Sequence, residues 1–187
     1  MTAAAATAFL WGKLPAHGDF VTRGLDGEAR DALDLWLSGD LQAARDQLGE
    51  EFEACYDEAP PWRFRWHADG AGWSAGAMAP SMDSVGRRYP VLIGQNGLNE
   101  TETLAVAAAS ENRIYSAFTG GWTADRLLDE AALPSEVEGD EGLQPPPPPT
   151  EGWWTLGGDH YPPRSLGGTQ PPKLWHDILA RSEGTIL

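Results

Sequence analysis

Two short runs of the sequence place glycines and prolines beside charged side chains, each at a point where a strand pattern ends. The first is residues 12–23, Gly-Lys-Leu-Pro-Ala-His-Gly-Asp-Phe-Val-Thr-Arg, and the second is residues 80–90, Pro-Ser-Met-Asp-Ser-Val-Gly-Arg-Arg-Tyr-Pro. Loops of this kind hold polar groups on a rigid frame, and binding and catalytic residues are often found in them. If the two loops meet in space, their polar side chains can form one site: Lys13, Asp19, Arg23, Ser81, Asp83 and Arg87.

Two kinds of chemistry fit such a site, and the residue types leave both open. In the first, glycine N–H groups together with Lys13, Arg23 and Arg87 hold a phosphate or a carboxylate. An enzyme built on this site would use one aspartate as acid or base and Ser81 as nucleophile or hydrogen-bond donor. In the second, the aspartates pair with the arginines and stiffen the turns. We favour a structural or partner-binding use, because charge clusters are only probabilistic markers of active sites.

No other motif indicates a catalytic residue, a metal or a cofactor. Residues 72–76, Gly-Trp-Ser-Ala-Gly, match the G-x-S-x-G pattern of a hydrolase nucleophile elbow, which needs a strand before it and a helix after it. Here the segment follows a predicted turn and leads into Pro80, so we predict no elbow. The four histidines and the single cysteine, Cys55, lack the spacing of zinc ligands. We therefore predict no catalytic residue, no metal site and no cofactor.

The composition is typical of a globular protein with a strong negative charge. The chain has 187 residues, with 13 Lys and Arg against 28 Asp and Glu, and a formal net charge of −15. This charge argues against binding to nucleic acid or to an anionic membrane surface, and it favours a basic partner. No apolar run approaches the length of a membrane span, and the first residues lack the features of a signal peptide. Because the chain also has a single cysteine, we expect a cytoplasmic protein.

The pattern of apolar residues predicts helices interleaved with strand pairs. Strict alternation over residues 62–67 predicts a strand, with residues 73–79 as its antiparallel partner. Asp26 is suited to cap a helix whose leucine stripe continues to residue 48. Residues 101–133 are mostly helical by composition, although residues 103–109 fit a strand equally well. Further strands are predicted at 9–11, 89–94 and 152–158, and further helices at 52–56 and 173–181.

This order of elements indicates an α/β fold. We predict a single domain over residues 1–187, built as a three-layer αβα sandwich with a mixed, largely antiparallel central sheet. Residues 134–150 differ from the rest, because acidic residues are followed there by a run of prolines from 145 to 149. Such a segment cannot bury a core, and we predict a mobile linker at this place.

The motifs of both loops resemble those of a known family. Residues 9–23 are similar to the opening motif of the TagF/ImpM proteins of bacterial type VI secretion, and residues 60–64 resemble the family's A-P-x-W-R-F segment. Residues 80–90 resemble its P-S-x-D-x-x-G-R-x-F/Y-P run. The loop residues that carry the resemblance make up the predicted binding cluster: Lys13, Pro15, Gly18, Asp19, Arg23, Ser81, Asp83, Gly86 and Arg87.

The resemblance implies a cytoplasmic accessory protein of the type VI secretion apparatus. TagF-like proteins act as post-translational repressors of secretion by engaging a forkhead-associated scaffold protein. The family has no established reaction or cofactor, so the resemblance implies protein binding and not catalysis. We expect a partner among the type VI components, no nucleic acid and no membrane insertion. A small-ligand sensor for an anion or phosphate, or a hydrolase that uses the Asp, Arg and Ser cluster, is the alternative.

Overall fold

The computed structural model describes residues 6–134 and 147–182, and a seven-stranded sheet lies at its centre. The strands are β1 (Thr7–Gly12), β2 (Val21–Arg23), β3 (Trp62–Ala68), β4 (Gly72–Ala79), β5 (Val91–Leu98), β6 (Gly152–Thr155) and β7 (Arg164–Gly167). The helices are α1 (Gly27–Leu48), α2 (Phe52–Glu58), α3 (Thr103–Gly120), α4 (Ala124–Ala131) and α5 (Leu174–Ile178), with short 3-10 turns at Gly49–Glu51 and Glu100–Glu102.

The strands are arranged in the order β2-β1-β5-β4-β3-β6-β7, and each neighbouring pair of these strands is antiparallel. The hairpin predicted from the aromatic alternation is present, with Trp62 of β3 opposite Met78 of β4. In the pair formed by β1 and β5, Gly12 lies opposite Val91. The loop that leaves β1 and the loop that enters β5 therefore emerge at the same end of the sheet.

One face of the sheet is covered by α1, α2 and α5. Alternate strand residues such as Phe9 of β1 and Leu92 of β5 pack there against Leu37 of α1 and Trp175 of α5. Trp11, Trp62, Trp153 and Trp175 are among the largest fully buried side chains. The high tryptophan content of the sequence thus supplies a large part of this apolar layer.

The opposite face is covered by α3 and α4. Leu10, the neighbour of Phe9, points to this side and packs with Ile93 of β5, Ile114 of α3 and Leu127 of α4. Helices on both faces of the sheet confirm the predicted three-layer αβα sandwich. The segment at residues 103–109, for which the sequence fitted a helix and a strand equally well, belongs to α3 and is helical.

The predicted beginning of α1 is confirmed, whereas the beginning of β5 and the two edge strands differ from the prediction. The carboxylate of Asp26 accepts a hydrogen bond from Ala29 N at 2.8 Å and begins α1, which continues without interruption through Gly39. Strand β5 begins at Val91 and not at residue 89. The short edge strands β2 and β7 were not predicted, because three or four residues are too few to give a periodic signal.

Most of the predicted linker lies outside the described residues, since these resume at residue 147. Directly after the gap, the carbonyl oxygen of Pro149 accepts a hydrogen bond from Arg65 Nε at 2.9 Å. None of the helices within residues 6–134 and 147–182 is long and apolar enough to cross a membrane.

Candidate functional site

The two polar loops lie side by side at one end of the sheet. The backbone N–H of Lys13 donates to the carbonyl of Pro90 at 3.1 Å, and that of Ser84 donates to the carbonyl of His17 at 2.8 Å. Gly12 makes this approach possible. Its φ of 122° is in the range that favours glycine, and a Cβ at this position would overlap the carbonyl oxygen of Pro90.

Asp83 lies at the centre of the contact between the loops. Its Oδ2 atom accepts hydrogen bonds from Lys13 Nζ at 2.8 Å and from Arg87 Nε at 2.7 Å. Its Oδ1 atom accepts from the backbone N–H groups of Val85 at 3.1 Å and Arg87 at 2.9 Å. Because an ionised carboxylate has about four acceptor positions, and Asp83 is only 2% exposed, no acceptor position of this carboxylate is left for a ligand.

The surroundings of Asp83 keep it ionised. Burial alone would raise the pKa of this carboxyl group, but the hydrogen bonds from Lys13 and Arg87 outweigh it and hold the pKa well below the usual value. A carboxylate with so low a pKa is a poor proton acceptor near neutral pH. Asp83 is therefore suited to hold the loops together and is unsuited to act as a general acid or base.

Ser81 is also committed to the loop structure. Its Oγ donates to the carbonyl oxygen of Lys13 at 2.8 Å, and the residue is 5% exposed. On its other side, the hydroxyl of Tyr56 in α2 donates to the Ser81 carbonyl and accepts from the Ser81 N–H, both at 3.1 Å. Burial raises the pKa of Tyr56 far above its usual range, so this hydroxyl stays protonated. Because its proton is donated to a backbone carbonyl and the residue is buried, the Ser81 hydroxyl does not face solvent as a nucleophile would.

Two charged residues of the predicted cluster stand apart from Asp83. Arg23 donates to Asp125 of α4 at 2.8 Å and to the carbonyl of Thr22, and so it does not belong to the shared network. The Asp19 carboxylate is 98% exposed and lies 3.8 Å from the guanidinium of Arg87. The single polar site suggested by the sequence thus reduces to Lys13, Ser81 and Asp83, which are buried, and Arg87, whose side chain is 59% exposed.

The other motif residues shape the backbone around these four residues. The carbonyl of Gly18 accepts a hydrogen bond from the guanidinium of Arg87 at 2.5 Å. Gly86 has a φ of 84° and closes the turn, with its N–H donating to the carbonyl of Asp83 at 3.0 Å. Pro15 lies at the surface beside the turn and lines the cavity described below. These residues give the loops their shape without adding reactive groups.

Sequence reasoning missed two contacts that complete the site. His17 Nε2 accepts a hydrogen bond from the N–H of Ala124 at 2.9 Å, which fixes the first loop to the beginning of α4. The ring of Phe20, 45% exposed, lies 4.5 Å from the ring of Tyr89 and 5.5 Å from that of Trp11. Both residues belong to the first motif, but nothing in their spacing identifies a partner more than sixty positions away.

A cavity of about 660 Å³ opens beside the second loop, between α2 and α3. Most of its walls are apolar, and the charged residues among the described ones that line it are Asp57 and Asp83. Its lining includes Pro15, Tyr56, Pro61, Met82, Tyr115 and Phe118. The polar network therefore forms one wall of an apolar cavity.

A second cleft of about 570 Å³ lies on the other side of the same loop and is mainly basic. It is lined by Lys13, Arg45, Phe52, Glu53, Gly86, Arg87 and Arg88. Most of these cations already have carboxylate partners, since Arg88 pairs with Glu53 and Asp57. Arg45 differs, because its guanidinium lies 4.7 Å from the ring centroid of Phe52 and has no carboxylate partner among the described residues.

The polar groups of Lys13, Ser81 and Asp83 are engaged within the two loops. Within the described residues, no group of three or more His, Cys, Asp or Glu side chains is placed to hold a metal ion. The hydroxyl of Ser81 donates its proton to the first loop, and the acceptor positions of the buried Asp83 are all used within the two loops. What remains available to another molecule is a stiff surface with an apolar cavity on one side and a basic cleft on the other.

Comparison with known proteins adds two findings. Residues 10–135 match the family model TagF_N, described as the TagF N-terminal domain, type VI secretion system-associated. The crystal structure of PA0076 from Pseudomonas aeruginosa PAO1 is similar in fold, with a TM-score of 0.71 and 21% identity over 97% of each chain. Among curated proteins, none matches this sequence.

Proposed function

The chain belongs to the TagF_N family of type VI secretion system-associated proteins, and we propose that it regulates this apparatus by binding one of its protein components. The matched region contains both polar loops and most of the residues around them. In this proposal the loops form the docking surface, and the protein acts in the cytoplasm without catalysing a reaction.

One observation carries the proposal: Asp83 is buried and all of its acceptor positions are used within the chain. A buried carboxylate whose acceptor positions are all used stiffens a loop, whereas an active site needs a group that is free to exchange protons or to attack. Around the network, Val85 at the tip of the second loop is 71% exposed, and Phe20 on the first loop is 45% exposed. Exposed apolar side chains on a rigid loop are typical of protein-binding surfaces.

We propose a forkhead-associated scaffold protein of the same apparatus as the partner, and repression of secretion as the result of binding. This identification rests on the resemblance of the loop motifs to TagF/ImpM proteins. A stiff docking surface is consistent with such a role, because a preorganised loop loses little conformational entropy when it binds.

The test is a titration of the purified scaffold against the wild-type protein and two variants. Val85→Glu changes an exposed side chain at the tip of the second loop. It keeps the backbone N–H of Val85, which donates a hydrogen bond to Asp83, so the network stays intact. Leu35→Glu is the matched control, since Leu35 is an 81% exposed apolar residue on α1. We expect Val85→Glu to weaken binding at least about tenfold, equivalent to 1.4 kcal/mol, with an unchanged melting temperature. If the wild type does not bind, the partner is wrong. If both variants bind as the wild type does, the loops are not the docking surface.

A small-anion sensor is the second candidate, and the basic cleft beside the second loop favours it. Arg45 supplies a cation without a carboxylate partner in the described part of the chain, and the exposed side of Arg87 faces the same cleft. A thermal-shift screen with inorganic phosphate, nucleotides and sugar phosphates tests this candidate, because a ligand at a hundredfold excess over its dissociation constant adds about 2.7 kcal/mol. A shift that Arg45→Gln abolishes would support the sensor, and no shift with any of these compounds would reject it.

A further inference from the structure

The cavity beside the second loop has the features of a preformed pocket for side chains of another protein. We propose that it receives an apolar anchor from a partner segment in which that anchor is flanked by lysine or arginine. The inference rests on the proposed function, in which the surface around the two loops binds a protein, and it names the chemistry of the segment that is bound.

Hydrogen bonds and prolines restrict the walls of the cavity in the free protein. Tyr56 holds the backbone of Ser81 through both its N–H and its carbonyl group. The neighbouring turn is fixed by the bonds from Val85 and Arg87 to Asp83. Proline at residue 61 and at residue 80 further restricts the lining backbone. A cavity that keeps its shape in the free protein can bind an apolar group without a large cost of ordering.

The size and lining of the cavity fit apolar side chains. Sites of about 300–1,000 Å³ with mostly apolar walls accommodate drug-sized ligands, so a cavity of about 660 Å³ accepts more than one side chain. Tyr115 and Phe118 of α3 form its aromatic side, and Tyr115 is 49% exposed. The hydroxyl of Tyr115 makes no hydrogen bond within the described residues, and it is available to a partner at the rim.

The charge around the cavity selects a basic segment over an acidic one. Two carboxylates and no lysine or arginine are found among the described residues that line it. Asp83 is buried and fully bonded within the chain, so the carboxylate that faces a ligand is that of Asp57, whose side chain is 41% exposed although it pairs with Arg88. The whole chain carries a net charge of −15, which attracts a basic partner over a longer range. A free phosphate or an acidic peptide finds no cation among the described residues of this cavity, in contrast to the basic cleft on the other side of the loop.

The test uses a random peptide library displayed on phage and selected against the full-length protein. The variants are Tyr115→Ala, which removes the aromatic rim, and Tyr115→Lys, which also adds a positive charge. Leu104→Ala and Leu104→Lys are the controls, because Leu104 lies near the other end of α3 and is similarly exposed, at 43% against 49%. Alanine and lysine are both good helix formers, so α3 is retained, and circular dichroism checks the fold of each variant.

We expect the selected peptides to carry an aromatic or large aliphatic residue beside Lys or Arg. Their affinity should fall about tenfold in Tyr115→Ala and further in Tyr115→Lys, while both Leu104 variants bind as the wild type does. Affinity should also fall as salt is added. No enrichment, enrichment of acidic or proline-rich peptides, or equal losses at Leu104 would overturn the inference. A scaffold that fails to bind the wild type would refute the proposed partner and would leave the outcome of this selection unchanged.

Discussion

The hydrogen bonds of Tyr56 give the sharpest test of how the second loop is held. The Tyr56→Phe change removes only the hydroxyl and keeps the ring, which is 1% exposed and stacks on Phe52 and Trp175. The effect of the change is therefore confined to the two bonds that the hydroxyl makes with the backbone of Ser81.

The size of the effect depends on which hydrogen bonds the carbonyl and the N–H of Ser81 retain after the change. The Ser81 carbonyl still accepts a bond from the N–H of Tyr89 at 3.0 Å. The Ser81 N–H loses the acceptor that Tyr56 provided, and it lies in a residue that is 5% exposed. Leaving one buried donor without a partner costs about 1–3 kcal/mol. In a protein of this size that corresponds to a fall in melting temperature of about 2–12 °C.

Urea unfolding and calorimetry measure this change, with Tyr115→Phe as the matched control. Tyr115 is 49% exposed, and its hydroxyl makes no hydrogen bond to the described part of the chain, so the control should change stability by less than about 0.5 kcal/mol. An unchanged urea slope would indicate that the fold and the denatured state are comparable in both proteins. Equal stability of Tyr56→Phe and the wild type would refute the argument that this hydroxyl holds the cavity wall.

Three further outcomes are expected. Because the pKa of Asp83 is lowered by Lys13 and Arg87 against the opposing effect of burial, the stability advantage of wild type over Asp83→Asn should be constant from neutral pH to about pH 5. It should shrink as the pH falls below the ordinary value of 3.8, and an advantage that grows in acid would contradict the assignment. His17→Ala removes the acceptor of a backbone N–H at the beginning of α4 and should cost about 1 kcal/mol in urea unfolding; no loss would mean that the loop is held otherwise. Arg23→Gln removes an exposed ion pair with Asp125, of which the side chains are 40% and 75% exposed, and should cost less than about 1 kcal/mol. A larger loss on unfolding would show that Arg23 supports the loops after all.

The fold was predictable where side chains repeat with a clear period. The alternation from Trp62 onward predicted β3 and its hairpin partner, and the capping residue Asp26 marked the start of α1. Apolar residues on both sides of the strands, such as Phe9 and Leu10, are what place helices on both faces of the sheet. The two edge strands could not be predicted, because each is set by pairing with a neighbour and not by its own pattern.

The candidate site was predictable in part. Glycine, proline and aspartate in both loops marked them as stiff turns, and antiparallel pairing of β1 with β5 brings them together. The pairing of Lys13 with Asp83 could not be read from spacing, because it joins residues 70 positions apart. The same holds for Arg23, which contacts α4 and not Asp83. The cavity had no sequence signal at all, since its walls come from both loops, α2 and α3.

The central claim is that the two loops are a docking surface and not a reaction centre. Hydrogen–deuterium exchange of the protein with and without the purified forkhead-associated scaffold tests it most directly. The account predicts slower exchange in residues 14–20 and 81–88 when the scaffold is bound, and unchanged exchange in the exposed first half of α1. Protection confined to other regions, with exchange in both loops unchanged by a scaffold that does bind, would contradict the account.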